Sequence, residues 1–218
     1  MNRIVGPIRV VAALTLIGGP VQASPSALNL IPTGDVMDYG SFNIQLEADG
    51  EPTPFSGGNG KYLLSQFAIM EGLEVGVDLY EFGTSAQTLL ANAKWQFMQE
   101  SDSAPAIAVG LQDLTRNGLL SSWYVSASKE VGALRLHLGY MDDADDDGRG
   151  MLGLERCFGA ETYVMFDYTT GPGAYHTAGI YQDLWDGFNA GVYYARNNTH
   201  GAGDFIALNL YYGGTWRD

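Results

Sequence analysis

Residues 134–140 read Leu-Arg-Leu-His-Leu-Gly-Tyr, an alternation of apolar residues with polar or small ones. Successive side chains of a β-strand point to opposite faces, so this stretch predicts a strand with one apolar and one polar face. The same alternation recurs after Gly40. The apolar positions are Phe42, Ile44 and Leu46; Leu73, Val75, Val77 and Leu79; Ala91, Ala93, Trp95 and Phe97; Ile107, Val109 and Leu111; Trp123, Val125 and Ala127; Leu134, Leu136 and Leu138; Phe188, Ala190, Val192 and Tyr194; and Ile206, Leu208, Leu210 and Tyr212.

Four less regular segments complete the pattern, at 61–70, 150–157, 162–169 and 175–182. With the eight regular ones they predict about twelve strands, and no stretch of ten or more residues favours a helix. We expect a single domain over residues 40–218. A leader at 24–39 precedes it, either extended or tucked against the sheet.

The connections between these segments alternate in length. Short ones lie at 71–72, 130–132, 159–161 and 183–187, whereas 49–60, 142–149 and 196–203 are long and polar; 98–104 is a partial exception. Such alternation is typical of an up-and-down meander whose two ends face different compartments. An even strand number then predicts that both termini lie at the short-turn end, in the periplasm.

The first 23 residues have the pattern of a signal peptide. Arg3 and Arg9 precede an apolar run at 10–18, and Val21-Gln22-Ala23 is a small-x-small cleavage site. Removing residues 1–23 leaves 9 basic and 25 acidic residues. This acidity argues against a nucleic-acid partner, because phosphate binding needs basic residues. A single cysteine rules out an internal disulfide.

Two architectures bury an alternating pattern: a membrane barrel and a secreted, ligand-binding β-sandwich. The polar face favours the barrel, because it carries small and amide residues such as Gly76, Gly110, Asn92 and Asn209 rather than many lysines. Aromatic residues gather near strand ends, as in the girdles of membrane barrels. Strands of about nine to eleven residues fit a tilted membrane crossing. We therefore expect an all-β, up-and-down antiparallel transmembrane barrel.

Several charged residues fall on the polar faces of the predicted strands. Buried charges must be paired or hydrated, so they predict either a structural ion-pair network in a filled lumen or a charged pore lining. The acid surplus gives an open pore a preference for cations. The predicted lumen network consists of Glu74, Asp78, Lys94, Arg135, His137, Glu155 and Asp167.

An acidic loop is the one candidate metal site. Asp143, Asp145 and Asp147 with Gly148 match the opening of a calcium loop, although Leu154 stands where its bidentate acid belongs. The other interpretation is a solvated hairpin loop. Apart from possible calcium, no cofactor is predicted.

Short pieces of the chain resemble small Gram-negative outer-membrane barrels, including YjbH-like ones. They include Ile31-Pro32-Thr33-Gly34-Asp35-Val36 and the run 72–77, Gly-Leu-Glu-Val-Gly-Val. The resemblance covers most of residues 31–212. It implies an outer-membrane barrel and, more remotely, a role in exopolysaccharide export or envelope assembly.

These observations predict a narrow passive channel or a structural envelope component, rather than an enzyme. The partners expected are outer-membrane lipids and lipopolysaccharide, the barrel-assembly machinery and a possible small solute, with no nucleic acid. An outer-membrane lipid hydrolase is a weaker alternative. It needs a nucleophile beside a base, and none of His137, His176 and His200 lies two residues from a serine on one strand face.

Overall fold

The computed structural model describes residues 26–52, 60–112, 114, 122–143 and 148–217. Each strand pairs antiparallel with its neighbours in the chain, and β1 pairs with β12, which closes the sheet. The strands are β1 (Ser41–Gly50), β2 (Gly60–Met70), β3 (Leu73–Tyr80), β4 (Thr88–Met98), β5 (Ala106–Leu111), β6 (Ser122–Val131), β7 (Leu134–Asp143), β8 (Arg149–Phe158), β9 (Thr162–Thr169), β10 (Tyr175–Trp185), β11 (Phe188–Asn197) and β12 (Phe205–Thr215). The predicted twelve-stranded, up-and-down antiparallel barrel is confirmed. The β-sandwich is wrong, because all of these strands belong to one closed sheet.

One end of the barrel carries tight turns. The connections at 71–72, 132–133 and 186–187 each have two residues. Gly72 and Gly187 adopt φ values of 73° and 75°, a left-handed conformation that glycine adopts without strain. Three register shifts, at Ala68/Met70, Gln96/Met98 and Asp183/Trp185, lie at the same end. We call it the short-turn end, and the opposite end the long-loop end.

The apolar faces of the strands point outward. Leu138 is 60% exposed and Leu210 57%, whereas their polar neighbours His137 and Asn209 are buried. Soluble proteins do not expose a continuous apolar belt of this kind, but a membrane barrel does. The structure contains no helix long and apolar enough to cross a membrane, within the described residues.

Aromatic side chains form part of a belt at the short-turn end. The rings of Trp185, Phe188, Tyr212 and Phe42 follow one another around the barrel, with successive centroids 5.1, 4.7 and 5.9 Å apart. Near the long-loop end, Trp123 and Tyr140 form a similar pair. Such girdles are typical of the two water interfaces of a membrane barrel.

Residues 26–40 form what we call the N-terminal hairpin, which lies inside the barrel. Thr33 N–H donates to the Ser26 carbonyl and Leu28 N–H to the Ile31 carbonyl, both at 3.0 Å, and the chain reverses at residues 29–30. The predicted leader at 24–39 therefore packs against the inner wall over residues 26–39. The predicted signal peptide at 1–23 lies outside the described residues.

The interior has a polar side and an apolar side. Leu28 and Ile31 of the hairpin pack into a cluster of tyrosine, methionine and alanine side chains contributed mainly by β8 to β12. The inner faces of β1 to β4 instead carry amides and charges. The lumen is therefore packed with side chains and with the hairpin, and its packing is apolar near β8 to β12 and polar near β1 to β4.

Candidate functional site in the lumen

A pair of opposite buried charges holds the base of the hairpin. Glu74 on β3 and Lys94 on β4 are register partners, and both are almost completely buried. The Glu74 carboxylate accepts hydrogen bonds from the Ser26 hydroxyl at 2.5 Å and from the backbone N–H of Met37. Lys94 Nζ donates to the backbone carbonyls of Ser26, at 2.7 Å, and Asp35. The Glu74 carboxylate therefore accepts hydrogen bonds from the hairpin, and the Lys94 ammonium group donates hydrogen bonds to the same hairpin.

A salt bridge joins the hairpin to β7. Arg135 donates from Nε to Asp35 Oδ2 at 2.8 Å and from Nη2 to Oδ1 at 2.5 Å, a bidentate geometry. Its Nη1 lies 2.8 Å from Glu100 Oε2, in the turn between β4 and β5. Partial burial acts to raise the pKa of Glu100. The Glu130 backbone N–H, Lys129 and Arg135 outweigh burial and hold that pKa below its usual value.

The tip of the hairpin is held on the opposite wall. The buried Asp167 carboxylate on β9 accepts from the Leu30 N–H at 2.8 Å and from the Thr177 hydroxyl at 2.5 Å. Asn29 donates to Thr177 Oγ1 and accepts from the Tyr181 hydroxyl, each at 2.8 Å. The hairpin therefore spans the lumen from β3 and β4 to β9 and β10.

A serine, a histidine and an acid line up beneath the hairpin. Ser128 Oγ lies 2.8 Å from His137 Nδ1, and His137 Nε2 lies 3.9 Å from Glu155 Oε2. Ser128 is fully buried, and its Oγ also accepts the Gly34 N–H at 2.8 Å. A hydrolase needs its nucleophile open to substrate, whereas this hydroxyl is covered by the hairpin backbone. The arrangement supports packing of the hairpin rather than turnover.

All seven predicted lumen residues lie on the inner face of their strands. Glu74, Lys94, Arg135 and Asp167 contact the hairpin directly, and His137 contacts it through Ser128. Asp78 instead belongs to an amide network on the polar wall, where it accepts from Asn92 at 2.7 Å. No sequence pattern singles out Ser128. It lies beside His137 because the two residues are register partners on β6 and β7.

The predicted calcium loop is not described. Asp145 and Asp147 lie outside the described residues, and Asp143 is described only as the last residue of β7. Over the part of the chain that is described, no group of three or more histidine, cysteine or acidic side chains could hold a metal ion. His176, the other histidine weighed for catalysis, lies on the exposed outer face with Nδ1 3.1 Å from Asn198 Oδ1.

Comparisons with known proteins agree with this architecture. Residues 84–160 match the model of the YjbH family, described as exopolysaccharide biosynthesis protein YbjH. Two structures of the KdgM porin, one in complex with disordered oligogalacturonate, are similar with TM-scores of 0.58 and 0.56 and identities of 10% and 11%. Each alignment covers 79% of this chain and 98% of the porin. No curated protein sequence matches the chain significantly.

A less similar structure is a mutant of the Rhodopseudomonas blastica porin, with a TM-score of 0.42, 12% identity, and coverage of 72% of this chain and 56% of that one. Because the KdgM structures are only 10% and 11% identical to this chain, their similarity shows the fold alone. This chain therefore has a porin-like barrel fold. The YjbH match spans β4 to β8, which includes the Lys94 and Arg135 contacts to the hairpin.

Proposed function

We propose that this protein is a narrow outer-membrane channel for small solutes, in which the N-terminal hairpin restricts the conducting space. The observation that carries the proposal is the closed barrel with an apolar outer belt and charged or amide side chains on its inner wall. Amides and acids on β1 and β2 also face inward, outside the hairpin contacts described above.

The membrane and the orientation belong to the same proposal. The outer belt fits a lipid bilayer, and barrels of this class occur in outer membranes that receive their proteins through a signal peptide and the barrel-assembly machinery. Lipopolysaccharide and phospholipid would surround the belt. Short turns face the periplasm in such barrels, so the base of the hairpin and both ends of the barrel chain would lie on that side.

Conductance of the purified, reconstituted protein tests the proposal. Folding is first verified by heat-modifiable migration on a denaturing gel, which reports a closed barrel. We expect a small, cation-preferring conductance in planar lipid bilayers. A folded barrel that conducts no ions would overturn the channel and leave a structural envelope component.

An accessory role in exopolysaccharide export is the second candidate, favoured by the family match over residues 84–160. The test is a deletion of the gene in its host, complemented with the wild-type chain. The role is supported if the deletion strain loses secreted polysaccharide and the wild-type chain restores it. Unchanged secretion in the deletion strain would contradict the role.

A further inference from the structure

A shallow apolar groove lies on the outer wall of the barrel, over β9 to β12. Its volume is about 330 Å³, and Ala178 on β10 lines it. Ala178 is the register partner of Phe166 on β9 and of Tyr194 on β11, and all three side chains are exposed. The groove exists because a small side chain lies between two large rings on a wall whose other outward residues are mostly bulky.

The groove continues along the strands, away from the long loops. Ile180 lies two residues after Ala178, and its register partners Val164 and Val192 also line the groove. Ile206 of β12 lines it beside Tyr194. The outward side chains of the groove are thus aliphatic or aromatic, which suits a hydrocarbon chain rather than a polar ligand.

A basic row lies next to the groove, toward the long-loop end. His176 precedes Ala178 by two residues on the same face of β10, and its register partners are Arg196 on β11 and Tyr168 on β9. These three side chains are exposed. Two residues of a strand span about 7 Å, so the guanidinium group and the imidazole ring lie at the upper mouth of the groove.

One acid lies in the same region, and protein donors occupy it. Asp204 Oδ2 accepts from the Tyr194 hydroxyl at 2.5 Å, and Asp204 Oδ1 accepts from the Asn197 N–H at 3.0 Å. Within the described part of the chain, Arg196 forms no salt bridge with this or any other acid. Its exposed guanidinium group is therefore available to an anion from outside the protein.

We propose that this part of the outer wall binds lipid A, the phosphorylated lipid of the outer leaflet, with a phosphate on Arg196 beside His176 and an acyl chain in the groove over Ala178. The argument is charge complementarity at matching depths. A guanidinium group binds phosphate through two parallel hydrogen bonds. The apolar groove begins one pair of residues deeper, which is the order of headgroup and acyl chain in a lipid that lies on the long-loop side. The inference rests on the proposed membrane orientation and does not require conductance.

Native mass spectrometry of the full-length protein, purified in detergent and titrated with diphosphorylated lipid A, tests the site. Each variant is first verified as folded by heat-modifiable gel migration. Arg196→Gln should weaken binding roughly tenfold or more, because hydrogen bonds to a charged phosphate are lost. Ala178→Leu should also weaken binding, because it fills the groove while it keeps the outer wall apolar.

Two variants elsewhere on the outer wall are matched controls. Arg156→Gln removes an exposed arginine that lies over the Phe158 ring on β8, near the short-turn end. Ala93→Leu enlarges an outward alanine on β4, on a different part of the wall. Both controls should bind lipid A as the wild-type protein does.

Four results would overturn the site. The first is unchanged affinity in Arg196→Gln or in Ala178→Leu. The second is equal binding of lipid A from which the phosphates have been removed, which would mean a nonspecific acyl contact. The third is inorganic phosphate that binds as tightly as lipid A. The fourth is a lipid-free dimer that Ala178→Leu dissociates, which would assign this face to a second copy of the chain.

The outcomes also separate this site from the channel. A folded barrel that binds lipid A but conducts nothing in planar bilayers would overturn the channel and leave the lipid site. A conducting barrel that binds no lipid A would overturn the lipid site and leave the channel.

Discussion

Glu74 and Lys94 lie directly opposite each other on β3 and β4, and each directs its buried charge to the backbone of the N-terminal hairpin. The two arms of the hairpin thus meet the Glu74 carboxylate and the Lys94 ammonium group where neither lipid nor bulk water reaches these charges. This relationship makes the hairpin part of the folded barrel rather than a loose leader.

Removing one member of this charge pair should destabilise the protein strongly. Lys94→Met leaves Glu74 buried without its cation, and breaking a buried pair in this way costs about 3–5 kcal/mol. The double variant Glu74→Gln/Lys94→Met should cost less than the sum of the single variants, because the two charges act as a unit. Urea unfolding in lipid vesicles measures these free energies.

The control for this series is Lys129→Met. Lys129 pairs with Glu100 at 3.1 Å at the rim, where both side chains are partly exposed, and such pairs contribute roughly 0–1 kcal/mol. Equal losses of stability for Lys94→Met and Lys129→Met would show that the hairpin does not depend on the buried pair.

Displacing the hairpin should widen the channel. A side chain at Gly153 would meet Ile31 Cδ1 at 2.9 Å and His137 Cβ at 3.2 Å. Gly153→Leu should therefore push Leu28 and Ile31 away, cost about 1–3 kcal/mol by overpacking and raise the single-channel conductance. Gly150→Leu is the control, since a Cβ there meets its nearest neighbour, Thr170 Cγ2, at an ordinary 3.4 Å. Unchanged conductance in a folded Gly153→Leu barrel would mean that the hairpin does not limit conduction.

The Arg135–Asp35 contact should keep the returning arm of the hairpin closed. Lysine keeps the charge but loses the bidentate geometry. We expect Arg135→Lys to speed hydrogen exchange at the backbone amides of residues 34–37, measured by mass spectrometry. Arg156→Lys, which alters a guanidinium 4.6 Å from the Phe158 ring, should leave that exchange unchanged. If hydrogen exchange at residues 34–37 is faster in both variants, its cause is a general loss of barrel stability and not the loss of the Arg135–Asp35 contact.

Acid should weaken the turn between β4 and β5. The folded-state pKa of Glu100 is held below its usual value by the Glu130 N–H, Lys129 and Arg135, which together outweigh its partial burial. The contribution of Glu100 to stability is therefore present above the unfolded pKa of about 4.3 and is lost as the pH falls through the lower folded value. Glu100→Gln should flatten the decline in unfolding free energy below about pH 4. An identical acid profile in Glu100→Gln and wild type would contradict this assignment.

The alternation of Leu134, Leu136 and Leu138 with Arg135 and His137 was sufficient to predict a strand with an apolar outer face. Segments 162–169 and 175–182 were harder to assign, because their alternation is less regular, yet they form β9 and most of β10. Periodicity predicts which face is apolar because burial or lipid contact acts on every second residue.

The lumen was predicted less completely than the wall. Glu74, Lys94 and Asp167 were predicted to face inward, because charges on the polar face of a barrel strand cannot face lipid. Their partner was not predicted, since residues 26–40 lack regular alternation and their hydrogen bonds join positions up to 152 residues apart in the chain. The pairing of Ser128 with His137 likewise depends on the register of β6 with β7.

The sequence by itself determined the strand number, the outward apolar face and the inward charges, because each follows from the local period of two and from the cost of placing a charge in lipid. Only the tertiary structure decided what those charges bind. The closed sheet brings β3, β7 and β9 around the same hairpin, and no local pattern encodes a contact between strands on opposite walls of a barrel.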